Sequence, residues 1–132
     1  MGAGEIRARA RHAHAFLAAA ELVVDLGEDA GIDDIGNTVA SLAVLAGIAA
    51  ADAVCGATLG ERAAGADHGD AVVLLKRSRP GAMLAPHLMR LVGSKTEAQY
   101  SPALMSAARA AGLLTSARRL VDGMDRVLQD LA

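Results

Sequence analysis

The chain has 132 residues, of which 53 % are apolar and only 2 % aromatic. This length suits a single domain, residues 1–132, that buries a core of its own. A core of alanine, leucine and valine favours closely packed helices over a sheet, which would need β-branched and aromatic side chains. The net charge of −2 excludes a general field that attracts nucleic acid or anionic lipid and leaves only a local basic patch for such partners.

The sequence lacks the short signatures of common cofactor and metal sites. Its single cysteine, Cys55, excludes an internal disulfide and a zinc site with several cysteines. There is no glycine-rich phosphate loop, nucleophile elbow or paired Glu-x-x-His motif. We therefore expect no metal and no cofactor, and a Cys55 thiol that is buried and inert.

Three features predict a cytoplasmic protein that does not enter a membrane. The first residues lead directly into charged helical sequence and do not form a signal peptide. The apolar run 39–51 is shorter than the roughly 20 residues that a spanning helix needs. The lone cysteine is typical of the reducing cytosol.

The first predicted helix repeats apolar residues at spacings of three and four and ends around Gly27. Its inward face comprises Ile6, Ala10, Ala13, Leu17, Ala20 and Val24, widened by Phe16 and Val23. Asp33 or Asp34 is predicted to cap the second helix, because a side-chain carboxylate accepts hydrogen bonds from the first free amides of a helix.

The second predicted helix, residues 35–61, has two apolar stripes and should therefore lie at the centre of the fold. The stripes are Val39, Leu42, Ala46, Ala49 and Ala53, and Val44, Ile48, Cys55 and Leu59. Gly47 and Gly56 cost about 1 kcal/mol each relative to alanine, which close contact with another backbone would justify. Asp52 should be paired or at the rim of the core, because an unpaired buried carboxylate is costly.

We predict three further helical segments in the second half of the chain. Asp67 is predicted to cap the first, which ends where the Ser-Arg-Pro-Gly sequence at 78–81 breaks the helix. The next tolerates Pro86 only in its first turn. The last begins after Ser101 or after Ser106. These segments predict an all-α, up-and-down antiparallel four-helix bundle with a broken third helix.

Three fragments, taken in order, resemble the HEPN family of small helical-bundle proteins. They are residues 15–23, residues 50–58 with 67–68 and 72–75, and residues 98–100 with 105–106 and 110–121. The resemblance implies a HEPN-like fold and favours Ser106 as the start of the last helix. It also implies a homodimer, and a nucleotidyltransferase-like protein as the other half of a two-component, toxin–antitoxin-like pair.

Many HEPN proteins are metal-independent ribonucleases with an arginine and a histidine, four to six residues apart, before the last helix. Histidine transfers a proton near neutral pH and arginine holds phosphate. The corresponding segment here, residues 90–100, contains no histidine. Lys95 and Tyr100 have the spacing, but an unperturbed tyrosine titrates near about 10 and would be a poor general base. We therefore expect a non-catalytic binding or assembly module rather than an enzyme.

Two alternatives stay open. The first is a metal-independent ribonuclease that uses Arg62 and His68, which flank a loop, at the cleft of a dimer. Arginine–histidine pairs of similar spacing in the first helix are expected to be surface charges, since five residues advance about 500° around a helix. The second is a nucleotide- or phosphate-binding regulator. Its candidate binding residues are Lys95, Gln99, Tyr100, Lys76, Arg77 and Arg79.

Overall fold

The computed structural model describes residues 1–62, 68–101 and 103–131, with the backbone alone at position 68. Six α-helices and one short 3-10 turn follow one another along this part of the chain. They are α1 (Ala3–Leu26), α2 (Ile35–Leu59), α3 (His68–Arg77), the 3-10 turn (Ala82–Leu84), α4 (Ala85–Gly93), α5 (Lys95–Tyr100) and α6 (Ala107–Asp130). All regular structure in the described residues is helical, which confirms the all-α prediction.

The central position of α2 is confirmed, because this helix contacts all five other helices. Val39, Val44 and Val54 are completely or almost completely buried, and the alanines between them let α1 and α6 pack closely on two sides. Among the described helices, α2 is the one long and apolar enough to cross a membrane. Since 78 % of its most apolar stretch is buried inside the protein, this is weak evidence of a span.

Gly47 and Gly56 are buried within α2, where side chains of the same chain occupy the space beside them. A Cβ atom at Gly47 would lie 2.5 Å from Leu91 Cδ1 and 3.1 Å from Leu120 Cδ1, and one at Gly56 would lie 2.5 Å from Met1 Sδ. The close contacts expected at both glycines exist, but their partners are side chains rather than backbone. Neither glycine is therefore available for contact with a second copy.

The buried stripe of α1 follows the predicted face except at its end. Ala13 and Ala20 are fully buried, but Val24 is 53 % exposed, so its assignment to the core is wrong. Val24 lies about one turn beyond the ion pair between Glu21 and Arg118 that joins α1 to α6. The stripe continues instead through half-buried Val23.

The two helix starts that the sequence left undecided are now defined. Asp34 is the N-cap of α2 with a left-handed φ of 53°, a conformation that aspartate tolerates, but its side chain makes no capping hydrogen bond. The predicted carboxylate cap is therefore wrong, and Thr38 Oγ1 donates to the Asp34 carbonyl at 3.1 Å. Ser106 caps α6 by accepting a hydrogen bond from the Arg109 amide at 3.1 Å, which excludes the start after Ser101.

The predicted break after the third helix is confirmed, and Ser78 stabilises it. The hydroxyl of this buried serine accepts hydrogen bonds from Thr58 Oγ1 at 3.0 Å and from the Gly81 amide at 3.3 Å. Pro86 lies in the first turn of α4, as expected. The predicted Asp67 cap of α3 lies outside the described residues.

Candidate functional site

Asn37 of α2 forms hydrogen bonds with α5, the short helix that contains Lys95, Gln99 and Tyr100, and with the segment that follows it. Its amide nitrogen donates to the Ala98 carbonyl at 3.3 Å, and its amide oxygen accepts from the Met105 amide at 2.9 Å. The preceding residue is Gly36, where a Cβ atom would lie 2.2 Å from the Met105 carbonyl oxygen. The segment after α5 can therefore approach α2 only because glycine stands at this position.

A second set of polar contacts ties α5 to α4 and α6. Arg109 forms an ion pair with Glu97 at 2.7 Å and donates to Ser94 Oγ at 3.4 Å. The Ser94 hydroxyl donates in turn to the Arg90 carbonyl at 2.9 Å. Arg109 therefore has a carboxylate partner within the chain, which a phosphate ligand would have to displace.

The candidate residues of α5 do not share one environment. Tyr100 is exposed at the end of the helix, whereas Gln99 lines an open groove of about 460 Å³ against the start of α2. The ionisable residues of that groove are Asp33 and Asp34. Because two carboxylates repel an anion, the charge of this groove does not favour phosphate at Gln99.

The second group of predicted phosphate ligands, Lys76, Arg77 and Arg79, lies exposed at the end of α3 and just beyond it. Arg77 is 3.6 Å from the Glu61 carboxylate. Within the described residues α3 and α5 make no contact, so the structure does not bring the two groups of candidates together. A phosphate site that combines them stays a prediction.

The alternative catalytic pair, Arg62 and His68, flanks residues outside the described part of the chain. Arg62 is exposed just after α2, and His68 begins α3. Nearby Asp52 is 8 % exposed and 3.8 Å from the Arg9 guanidinium, so the expectation of a pair is confirmed. Burial raises the pKa of the Asp52 carboxyl, and the charges of Arg9 and Arg62 partly offset this rise. A ribonuclease site at Arg62 and His68 stays a prediction.

The histidines of α1 are exposed and have partners of their own. His14 Nε2 is 2.8 Å from the Asp125 carboxylate of α6, and the His12 ring contacts the Arg9 guanidinium. Cys55 is buried as expected, and burial together with the neighbouring Asp52 charge raises the pKa of its thiol to about 11.

The outer face of α1, opposite its buried stripe, is apolar in the middle and charged at both ends. Its members within α1 recur at spacings of three and four, so they lie on one side of the helix, and Asp29 follows just beyond its end. They are Arg7, Arg11, Ala15, Ala18, Leu22, Asp25 and Asp29, all exposed. Leu22 (58 % exposed) and Leu26 (52 % exposed) border an apolar groove of about 210 Å³ with Val23, Ala30 and Ile32.

Comparison with protein-family models, with curated proteins and with solved structures finds no match in any of the three.

Proposed function

We propose that the chain is a HEPN-like helical bundle that acts as a non-catalytic assembly module and pairs with a second copy of itself through the outer face of α1. The single observation that carries this proposal is the distribution of charge on that face. Arg7 and Arg11 lie in the first half of α1, whereas Asp25 lies in its last turn and Asp29 just beyond it.

A two-fold axis at Ala18 would place two α1 helices antiparallel. Arg11 and Asp25 lie at equal distances along the sequence on either side of Ala18, and so do Arg7 and Asp29. The basic half of each helix would therefore face the acidic half of the other, which is the self-complementarity that a two-fold interface requires. Alanines at the crossing point allow two helices to approach closely.

Exposed apolar side chains support the same surface. Leu22 and Leu26 are more than half exposed on a helix that buries its opposite side in the core. Contiguous apolar surface rimmed by charged residues is typical of protein interaction sites. The absence of histidine from residues 90–100 supports a module without ribonuclease activity. From the HEPN resemblance we further propose a nucleotidyltransferase-like partner, and from the single cysteine a cytoplasmic location.

Sedimentation or light scattering over a range of concentrations tests the pairing. We expect a dimer for the unaltered chain and a monomer for Leu22→Asp. Val73→Asp is the matched control, because Val73 is 61 % exposed on α3, away from this face, and should leave the dimer intact. A chain that is monomeric at the highest concentration refutes the proposal.

Charge exchange tests the antiparallel arrangement itself. Arg11→Asp and Asp25→Arg should each weaken the dimer, because each places like charges opposite one another across the axis. The double variant restores opposite charges at both positions and should recover the dimer. If it associates more weakly than either single variant, the two α1 helices do not pair in this register.

A further inference from the structure

A groove of about 240 Å³ lies between α6 and the segment formed by the 3-10 turn and α4. Its lining residues are Met83, Leu84 and His87 on one side and Arg119, Asp122, Gly123 and Arg126 on the other. A Cβ atom at Gly123 would lie 2.6 Å from Leu84 Cδ2. Glycine at this position therefore lets the Leu84 side chain lie directly against α6 and form an apolar floor.

The groove has an excess of positive charge. Arg119 and Arg126 project from the same side of α6 and make no hydrogen bond or ion pair with any described residue. Asp122 is the single carboxylate of the lining, against two guanidinium groups. Arg90 of α4 adds a third cation close to His87, although it also donates to Ser116 Oγ at 3.0 Å.

His87 lines the groove, and one of its ring nitrogens has no hydrogen-bond partner in the described part of the chain. Its Nδ1 atom is buried and forms no hydrogen bond. A buried polar atom without a partner is uncommon and costs free energy. Partial burial and the nearby charges of Arg119 and Arg90 lower the pKa of His87. This favours the neutral imidazole, whose two ring nitrogens can donate and accept a hydrogen bond.

We propose that this groove binds a phosphate group, held by Arg119 and Arg126, with the His87 ring as a hydrogen-bonding partner. Guanidinium groups bind phosphate oxygens in pairs of parallel hydrogen bonds. The volume is below the roughly 300–1,000 Å³ of sites for drug-sized molecules. It therefore fits the phosphate of a larger ligand, whose remaining part would contact Met83, which is 86 % exposed at the rim.

Titration of the full-length chain with inorganic phosphate at constant ionic strength, followed by NMR, tests the site. We expect shifts confined to His87 and the neighbouring amides of α4 and α6, with binding weakened about tenfold or more by Arg119→Gln or Arg126→Gln. Arg118→Gln is the matched control, because it removes one exposed arginine of α6 that does not line the groove and should leave phosphate binding unchanged. Equal weakening by all three variants would show a general charge effect and overturn the proposal, as would phosphate that leaves the His87 resonances unmoved.

The His87 ring supplies a second readout. Bound phosphate should raise the pKa of His87, because an anion stabilises the imidazolium. Arg119→Gln should raise it without phosphate, because the substitution removes a positive charge that disfavours the imidazolium. Parallel titrations with adenosine 5′-monophosphate and pyrophosphate distinguish the source of the phosphate. Tighter binding of the monophosphate than of inorganic phosphate identifies a nucleotide, and tighter binding of pyrophosphate identifies a polyphosphate. None of these results depends on whether the α1 faces pair.

Discussion

Replacing Gly47 by alanine tests how tightly α2 packs against α4 and α6. Alanine is favoured over glycine inside a helix by about 1 kcal/mol. The new methyl group, however, would lie 2.5 Å from Leu91 Cδ1 and 3.1 Å from Leu120 Cδ1. Both leucines are essentially fully buried, so neither can move without disturbing its other neighbours.

The magnitude follows from these two opposing effects. Inserting a methyl group into a well-packed core typically costs about 1–3 kcal/mol. Since this exceeds the gain in helix propensity, we expect Gly47→Ala to lower the free energy of unfolding by about 1 kcal/mol. Gly112→Ala in α6 is the matched control. A Cβ atom there meets nothing within 4 Å, so only the gain should remain and the variant should be more stable by about 0.5–1 kcal/mol.

Urea unfolding, followed by circular dichroism at one fixed protein concentration, measures both variants. The fixed concentration is needed because association would itself change the apparent stability. The midpoints should shift in opposite directions at a constant slope. If Gly47→Ala stabilises the chain as much as Gly112→Ala does, Leu91 and Leu120 can move aside. The packing of α2 against α4 and α6 would then be too loose for a methyl group at position 47 to cause strain.

Three further predictions concern Asn37, Asp52 and ribonuclease activity. Asn37→Ala leaves the buried Met105 amide without its acceptor and should lower the free energy of unfolding by about 1–3 kcal/mol. The effect should be clearest as faster amide hydrogen exchange in α5. Unchanged exchange would contradict the role of Asn37. The pKa of Asp52 is higher in the folded chain than its ordinary 3.8, so the folded state binds more protons and stability should fall as the pH rises above that value. Asp52→Asn should make the free energy of unfolding, measured with urea at pH 4–7, decrease less as the pH rises. An unchanged pH dependence would show that ionisation of Asp52 does not destabilise the folded chain. Purified protein with a chelator should leave an oligoribonucleotide intact at pH 7; cleavage abolished by His68→Ala would support the Arg62–His68 alternative instead.

The long helices could be predicted because their physical signals are local. Apolar residues at spacings of three and four mark α1 and α2, and Gly27 marks the end of the first. The two stripes of α2 also indicated its central position. The end of the α1 stripe was predicted less well, because the exposure of Val24 depends on how the other helices pack around the last turn of α1 and not on the sequence of α1 itself.

The helix α5 could not be predicted from periodicity. Its six residues, Lys95–Tyr100, contain no apolar repeat, and six residues are too few for a stable isolated helix. Contacts with Asn37 and Arg109, both outside the segment, hold it in place. The groove that we propose as a phosphate site, between α4 and α6, could not be predicted from the sequence for a similar reason. His87 and Arg119 are distant in sequence and meet only because α4 packs against α6.

The pairing of charges within the chain also bears on where partners bind. Within the described ranges, Arg109 pairs with Glu97, whereas Arg119, Arg126 and Arg11 pair with no carboxylate. A phosphate ligand at α5 would therefore have to draw Arg109 away from Glu97, while one in the α6 groove would displace no ion pair. Glu97→Gln separates the two sites. It should leave phosphate binding unchanged if the α6 groove is the site, and should tighten binding if α5 is the site, because Arg109 would then lose its competing carboxylate.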